Sequence, residues 1–227
     1  MITANACSLQ YKDGTLALKP FDLAINKGEV VFITGPSGSG KTSLLKLILG
    51  MEFPTSGSFT VLNQPIKAGC DREIRQMRTQ IGPIFQEFRL LDGRSVLDNV
   101  MLSMRFLGYS QTQMRELATH YIDRVGLSHK LEHTVDRLSW GECQRVAIAR
   151  AVVRKPKLIV ADEPTGNLDQ ENAKNVLALL MSFCDDETSV IITTHATHLV
   201  DHMDAHVRLK MQNGTFVLER GLSRGKR

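Results

Sequence analysis

Residues 35–42 read Gly-Pro-Ser-Gly-Ser-Gly-Lys-Thr, which fits G-x-x-x-x-G-K-[ST], and they stand between a β-branched run, Val30–Thr34, and an apolar helical pattern over 43–49. Strand, glycine-rich turn and helix in that order make a phosphate cradle. Gly35, Gly38 and Gly40, with Pro36, Ser37 and Ser39 between them, let backbone N–H groups converge on phosphate oxygens, and the helix N-terminus adds positive potential. Lys41 reaches the β- and γ-phosphates, Thr42 offers a hydroxyl to Mg²⁺, and Ser43 follows in the first helical turn. The alternative is a coincidental glycine-rich turn, against which the flanking strand and helix argue. By itself the motif points to a nucleotide and leaves kinase, GTPase and motor open.

The 227 residues suit one domain, or one domain with a subdomain. A net charge of +4 is mild and its basic residues are scattered, except for Arg220, Arg224, Lys226 and Arg227 near the end. That tail reads as a solvated end, with a weak attraction to anionic lipid headgroups as the sharper alternative. Cys7, Cys70, Cys143 and Cys184 form no C-x-x-C pair, so a reducing compartment without disulfides is expected. No run of 18 apolar residues occurs, and Tyr11, Lys12 and Asp13 interrupt any early apolar segment. Membrane association is therefore expected to come through a partner.

Short β runs are expected at 28–34 and 58–62, with Gly50 ending the phosphate-loop helix and Asn63-Gln64-Pro65 turning the chain. A short charged helix over 72–80 precedes a strand over 81–85, where Pro83 removes a ladder donor and suggests an edge or irregular position. Between 95 and 125 the pattern becomes amphipathic helix, with Val96, Val100, Met104 and Leu107 on one stripe and a second stretch from Gln111 after Gly108. Alternation then resumes with a helix over 141–154, a buried strand Leu158–Ala161, a helix over 172–183 and a strand Ser189–Thr194. This alternation argues a parallel α/β sheet. Asn213-Gly214 between two apolar runs signals a type I′ hairpin.

The strand Leu158–Ala161 delivers Asp162 and Glu163 at its C-terminal end, where ligands bind in α/β sheets. Downstream of a phosphate loop, Asp162 is expected to hold Mg²⁺ through its water shell and Glu163 to polarise the water attacking the γ-phosphate. An ordinary acidic strand end is the bland alternative. Further along, Leu138-Ser139-Trp140-Gly141-Glu142-Cys143-Gln144-Arg145 resembles the signature motif of ATP-binding cassette (ABC) ATPases. The usual form is LSGGQ or LSGGE followed by QQR, so Trp140 and Cys143 depart from it. The resemblance covers essentially the whole chain, with several motifs in the family's order.

That resemblance implies a P-loop NTPase of ABC type. Its mainly parallel core sheet would carry an N-terminal antiparallel β subdomain, within about 1–85 and 138–227, and a helical insertion over about 86–137. By position it assigns Tyr11 to stack on adenine, Gln86 to the loop that senses Mg²⁺ and attacking water, and His195 to the γ-phosphate. Asp169, in Gly166-Asn167-Leu168-Asp169, falls in the loop that communicates across a dimer. Ser139, Gly141 and Glu142 serve the other subunit's ATP, so two ATP molecules would be enclosed between two head-to-tail copies. A bulky Trp140 beside the second nucleotide can alter closure and slow hydrolysis, yet the site is expected to stay competent because the side chain at that position does not normally bond phosphate. Cys143 is expected to pack. His195, His198, His202 and His206 recur at spacings of three and four, but no metal site other than Mg²⁺ is expected from them.

The runs at 162–169 and 85–91 are similar to the branch containing FtsE, LolD and MacB, most of all to FtsE. Membership implies a peripheral ATPase on the cytoplasmic face of the inner membrane. It would drive a separate FtsX-like, LolC/E-like or MacB-like membrane subunit that docks its coupling helix near the Gln86 loop, with cell division or lipoprotein and macrolide export as the process. Two other classes stand beside this: a soluble cassette acting on nucleic acid or ribosomes, and a regulatory module with little turnover. The first usually carries two cassettes or a coiled-coil insertion, and the second loses Glu163 or His195. No nucleic acid partner is expected.

Overall fold

Helix α1, Lys41–Ile48, is packed between two sheets in a computed structural model that describes residues 1–221. One sheet is antiparallel, in the order β2-β1-β4-β5, built from β1 (Ile2–Gln10), β2 (Leu16–Ile25), β4 (Ser56–Val61) and β5 (Gln64–Pro65). The other has six strands in the order β10-β9-β3-β8-β7-β6. These are β3 (Val30–Thr34), β6 (Ile81–Ile84), β7 (Leu158–Ala161), β8 (Ser189–Thr194), β9 (Val207–Gln212) and β10 (Thr215–Arg220). All neighbours in it pair in parallel except the β9–β10 hairpin. Helices α2 (Asp71–Arg78), α3 (Val96–Met101), α4 (Gln111–Arg124), α5 (Trp140–Val152), α6 (Gln170–Met181) and α7 (Thr197–Val200) complete the order.

The strands of the second sheet are apolar on both faces because both are covered. Along β3, Val31 and Ile33 pack with α1 and the antiparallel sheet, while Val30 and Phe32 pack with the helices of the opposite side. β7 divides the same way, Leu158 and Val160 against Ile159 and Ala161. Two cores thus meet across one sheet, and the loops at the sheet's C-terminal edge are held from both sides.

Most expected elements appear with shifted ends. The phosphate-loop helix starts at Lys41, α5 starts at Trp140, and α6 starts at Gln170 because Asp169 caps it through its side chain. Pro83 lies in β6, the outermost strand of its sheet, where a missing donor is harmless. Asn213 and Gly214 take φ of 49° and 74° between paired Gln212 and Thr215, as a type I′ turn requires. Gly50 ends α1 at φ 62°, where a Cβ would stand 2.8 Å from Ile74. The amphipathic stretch from 95 is broken after α3 by a 3-10 turn, so Val96, Val100 and Met104 are buried while Leu107 is half-buried.

β1 and β2 were not legible residue by residue. Register shifts interrupt β1 at three places and Ala6 adopts φ 42°, so no clean alternation survives. Pro20 sits in β2, an edge strand. Of the basic tail, Arg220 pairs with Glu29 at 2.8 Å and donates to the Ala24 carbonyl. Arg224, Lys226 and Arg227 lie outside the described residues.

Candidate nucleotide site

The phosphate loop is built against the β9–β10 hairpin. At Gly35 a Cβ would fall 2.3 Å from the Met211 carbonyl oxygen, and at Gly40 it would fall 2.9 Å from that of Ala17, so backbone packs where a side chain would stand. The Gly214 N–H donates to the Ser39 carbonyl at 3.1 Å, closing the loop onto the hairpin turn. Gly38, at φ 77°, is different: a Cβ there meets nothing within 4 Å, because this residue faces the cavity. No side chain caps α1, whose N-cap is Gly40, so its first N–H groups are left for an anion.

The cavity has a volume of about 640 Å³ and brings together residues from six separate stretches of sequence. Ser37, Gly38, Gly40, Lys41 and Thr42 line it together with Gln86, Glu163 and His195. Tyr11, Thr15, Leu16, Ala17 and Asn213 complete the lining. Tyr11 Oη lies 3.0 Å from Ser43 Oγ, which holds the phenol ring beside α1. Thr15, Leu16 and Ala17 carry no motif and Asn213 reads only as a turn residue, so sequence reasoning missed all four as cavity residues.

Lys41 is nearly buried. Its Nζ donates to the carbonyls of Gly35 at 2.8 Å and Pro36 at 3.1 Å, and stands 3.5 Å from Glu163 Oε1. Glu163 Oε2 accepts from the His195 backbone N–H at 3.1 Å and lies 2.8 Å from His195 Nδ1. A carboxylate only accepts, so His195 presents its Nδ1 proton to Glu163 and leaves Nε2 free. Glu163 itself adopts φ 47°, the left-handed region that costs a non-glycine residue about 1 kcal/mol. That turn sends successive carboxylates to different partners.

Asp162 points instead to Thr193. Thr193 Oγ1 donates to Asp162 Oδ1 at 2.7 Å and accepts from the Glu163 N–H at 3.0 Å, so one buried hydroxyl organises both acids. Burial pushes the Asp162 carboxyl above its ordinary value, and the neighbouring Glu163 adds to this, while the Thr193 bond and Lys41 oppose it. Thr193 was also missed. Its signal was the parallel register of β7 with β8, which sets Ala161 opposite Ile192 and the next residues side by side.

Thr42 and Asp162 line one cavity of about 130 Å³ beside α1. A hydroxyl and a carboxylate of this kind are hard oxygen donors that suit Mg²⁺, and the bare backbone of Gly38 with the uncapped N-terminus of α1 suits phosphate. The residues present therefore fit both groups. His206 belongs elsewhere, since its Nδ1 accepts from the Val30 N–H at the base of the sheet.

Ser139, Gly141, Glu142 and Asp169, also singled out in the sequence, line neither cavity. Ser139 and Glu142 form a capping box at the start of α5: Ser139 Oγ accepts from the Glu142 N–H at 3.3 Å, and Glu142 Oε2 accepts from the Ser139 N–H at 2.8 Å. That bond lowers the Glu142 carboxyl below its ordinary value. Gly141 lies in the same turn, where an added Cβ would meet Leu168 at an ordinary 3.6 Å. Asp169 accepts from the Asn172 N–H at 2.9 Å as the cap of α6.

The family described as ABC transporter matches residues 18–166, about two thirds of the chain, spanning the phosphate loop, signature turn and paired acids. The chain belongs to the ABC transporter family. It is an ATPase cassette of the branch that holds FtsE and LolD. It is 41% identical over 208 residues to the cell division ATP-binding protein FtsE of Mycobacterium tuberculosis, covering 91% of this chain and 90% of that one. It is 38% identical to the lipoprotein-releasing system ATP-binding protein LolD of Idiomarina loihiensis, covering 97% and 98%. The dimeric post-hydrolysis structure of the ATP-binding cassette MJ0796 with ADP and Pi superposes with a TM-score of 0.87 at 31% identity, covering 98% of this chain and all of that one.

Proposed function

We propose that this ABC cassette is a Mg²⁺-dependent ATPase subunit that encloses two ATP molecules between two head-to-tail copies and drives a membrane partner. The observation that carries the reading is the convergence of Lys41, Glu163 and His195 on one cavity, with Asp162 held alongside by Thr193. Lys41 holds the β- and γ-phosphates, and the backbone N–H groups at 38–42 cradle them. Glu163, oriented by His195, is the general base that takes a proton from water, and Gln86 positions that water. Thr42, Asp162 and Gln86 hold Mg²⁺, which supplies charge neutralisation on the transferring phosphate. His195 is left with Nε2 for the γ-phosphate, and Tyr11 offers its ring to adenine.

Ser139, Gly141 and Glu142 lie on the first turn of α5, outside the cavity of their own chain, which supports their serving the ATP of a second copy. Asp169 then lies beside the joint between copies. The dimeric MJ0796 cassette gives the arrangement a precedent. Among the described residues no helix is long and apolar enough to cross a membrane. Attachment to the cytoplasmic face of the inner membrane accordingly runs through a permease of FtsX or LolC/E type, docked on the helical insertion at 86–137. A groove there of about 330 Å³, lined by Leu91, Met101, Leu102 and Met114 together with Arg94, Arg105 and Asp98, suits a short amphipathic helix.

Glu163→Gln tests the reading. Mg²⁺-dependent ATP hydrolysis falls by a factor of at least about 100, as expected for loss of a general base, and ATP-bound dimers accumulate on size-exclusion chromatography. Hydrolysis at the parent rate would overturn it.

A further inference from the structure

Trp140, the sole tryptophan, stands where the family's signature commonly has glycine, and it has a partner. It is the first residue of α5, 45% exposed, and its ring centroid lies 4.5 Å from that of Phe88 with 56° between the planes. Phe88 follows Gln86 by two residues in the loop that leaves β6. The loop is pinned on either side of Gln86. Arg89, at φ 52°, sets its guanidinium 4.0 Å from the centroid of the Phe85 ring, and Arg150 of α5 donates to the carbonyls of Phe88 and Arg89. Asn99 accepts from the Leu91 N–H at 2.7 Å and donates back to the Leu91 carbonyl. Gln86, exposed like its neighbour Glu87, lies between these pins.

We propose that Trp140 is a positioning residue for Gln86: its ring, seated on Phe88, joins the Gln86 loop to the turn that carries Ser139 and Gly141. Arg150 grips the same loop two to three helical turns further along α5, so the helix and the loop are held at two separated points and shift as one body. A glycine at 140 would remove this ring contact between the first turn of α5 and the loop. The inference rests on the proposed roles of Gln86 in its own site and of the α5 turn at the site of a second copy. Closure of that turn on one nucleotide then reaches Gln86 at the other, through a contact made by the residue that departs from the family pattern.

A double-mutant cycle on the full chain tests it, with steady-state hydrolysis of MgATP as the readout. Trp140→Ala and Phe88→Ala each lower kcat about twofold to tenfold, the factor that an aromatic pair is worth, while KM stays within about twofold. The double variant is no slower than the slower single variant. Trp140→Phe recovers most of kcat because it keeps a ring. Phe88→Ala also red-shifts the emission of the single tryptophan. Parent kcat in Trp140→Ala, additive losses in the double variant, an equal deficit in Trp140→Phe, or unchanged emission in Phe88→Ala each overturn the proposal. Failure of the pair is distinguishable from failure of the underlying reading, because the latter shows as Glu163→Gln that hydrolyses at the parent rate or forms no ATP-bound dimer.

Discussion

Thr193→Val keeps the side-chain shape and removes one hydroxyl at a fully buried position. Two bonds are lost, the 2.7 Å donation to Asp162 Oδ1 and the 3.0 Å acceptance from the Glu163 N–H. A hydrogen bond to an ionised group contributes about 1.5–3 kcal/mol, and the stranded N–H costs about another 1 kcal/mol. The added apolar surface offsets about 1 kcal/mol. The net loss is about 2 kcal/mol, which lowers Tm by about 4–8 °C in a chain of this size.

The pH dependence of that loss has a definite sign. Burial raises the Asp162 carboxyl above its ordinary value, so the stability tied to its protonated form is complete below the unfolded carboxylate range and lost as pH rises through the folded value. The Thr193 bond opposes that rise, and removing it lifts the carboxyl further. The gap between variant and parent is therefore widest near about pH 7.5 and narrows on acidification towards the carboxylate range. Thermal unfolding followed by circular dichroism, with EDTA and without nucleotide, at about pH 7.5 and about pH 5 measures both. A Tm within about 1 °C of the parent at both pH values, or a gap that widens in acid, refutes the assignment of Thr193 as the organiser of the two acids.

Other expectations follow from the same packing. Gly35→Ala drives a Cβ to 2.3 Å from the Met211 backbone and leaves little soluble folded protein, whereas Gly38→Ala meets no atom, costs about 1 kcal/mol of left-handed strain, and loses ATP affinity with the fold intact; circular dichroism and nucleotide titration separate the two. Asn99→Ala strips a fully buried amide from Leu91 and Ser95, costing about 2–3 kcal/mol and about 4–12 °C in Tm by thermal melt.

Much of the site was legible because its chemistry needs contiguous residues. The phosphate loop and the paired acids each occupy one strand end and the segment after it, and the Asn213-Gly214 turn is a local steric demand. The antiparallel sheet was known only through family resemblance, since bulges in β1 and Pro20 in edge strand β2 erase the period-two signal. Helix ends were misjudged where a side chain, not a periodicity, sets the boundary, as Asp169 does for α6 and the Ser139–Glu142 box does for α5.

The sequence by itself determined which groups are present at the sheet edge: backbone amides at 38–42, an ammonium at Lys41, two carboxylates and a histidine. Short-range geometry suffices for that, because a strand followed by glycines and a helix has few ways to turn. Only the tertiary structure decided what each group touches. Parallel pairing of β7 with β8 brings Thr193 to Asp162 and His195 to Glu163 across about 30 residues, and helix packing seats Trp140 on Phe88 across about 50. Such contacts depend on strand order and on buried volume, quantities that belong to the whole fold and to no single stretch of residues.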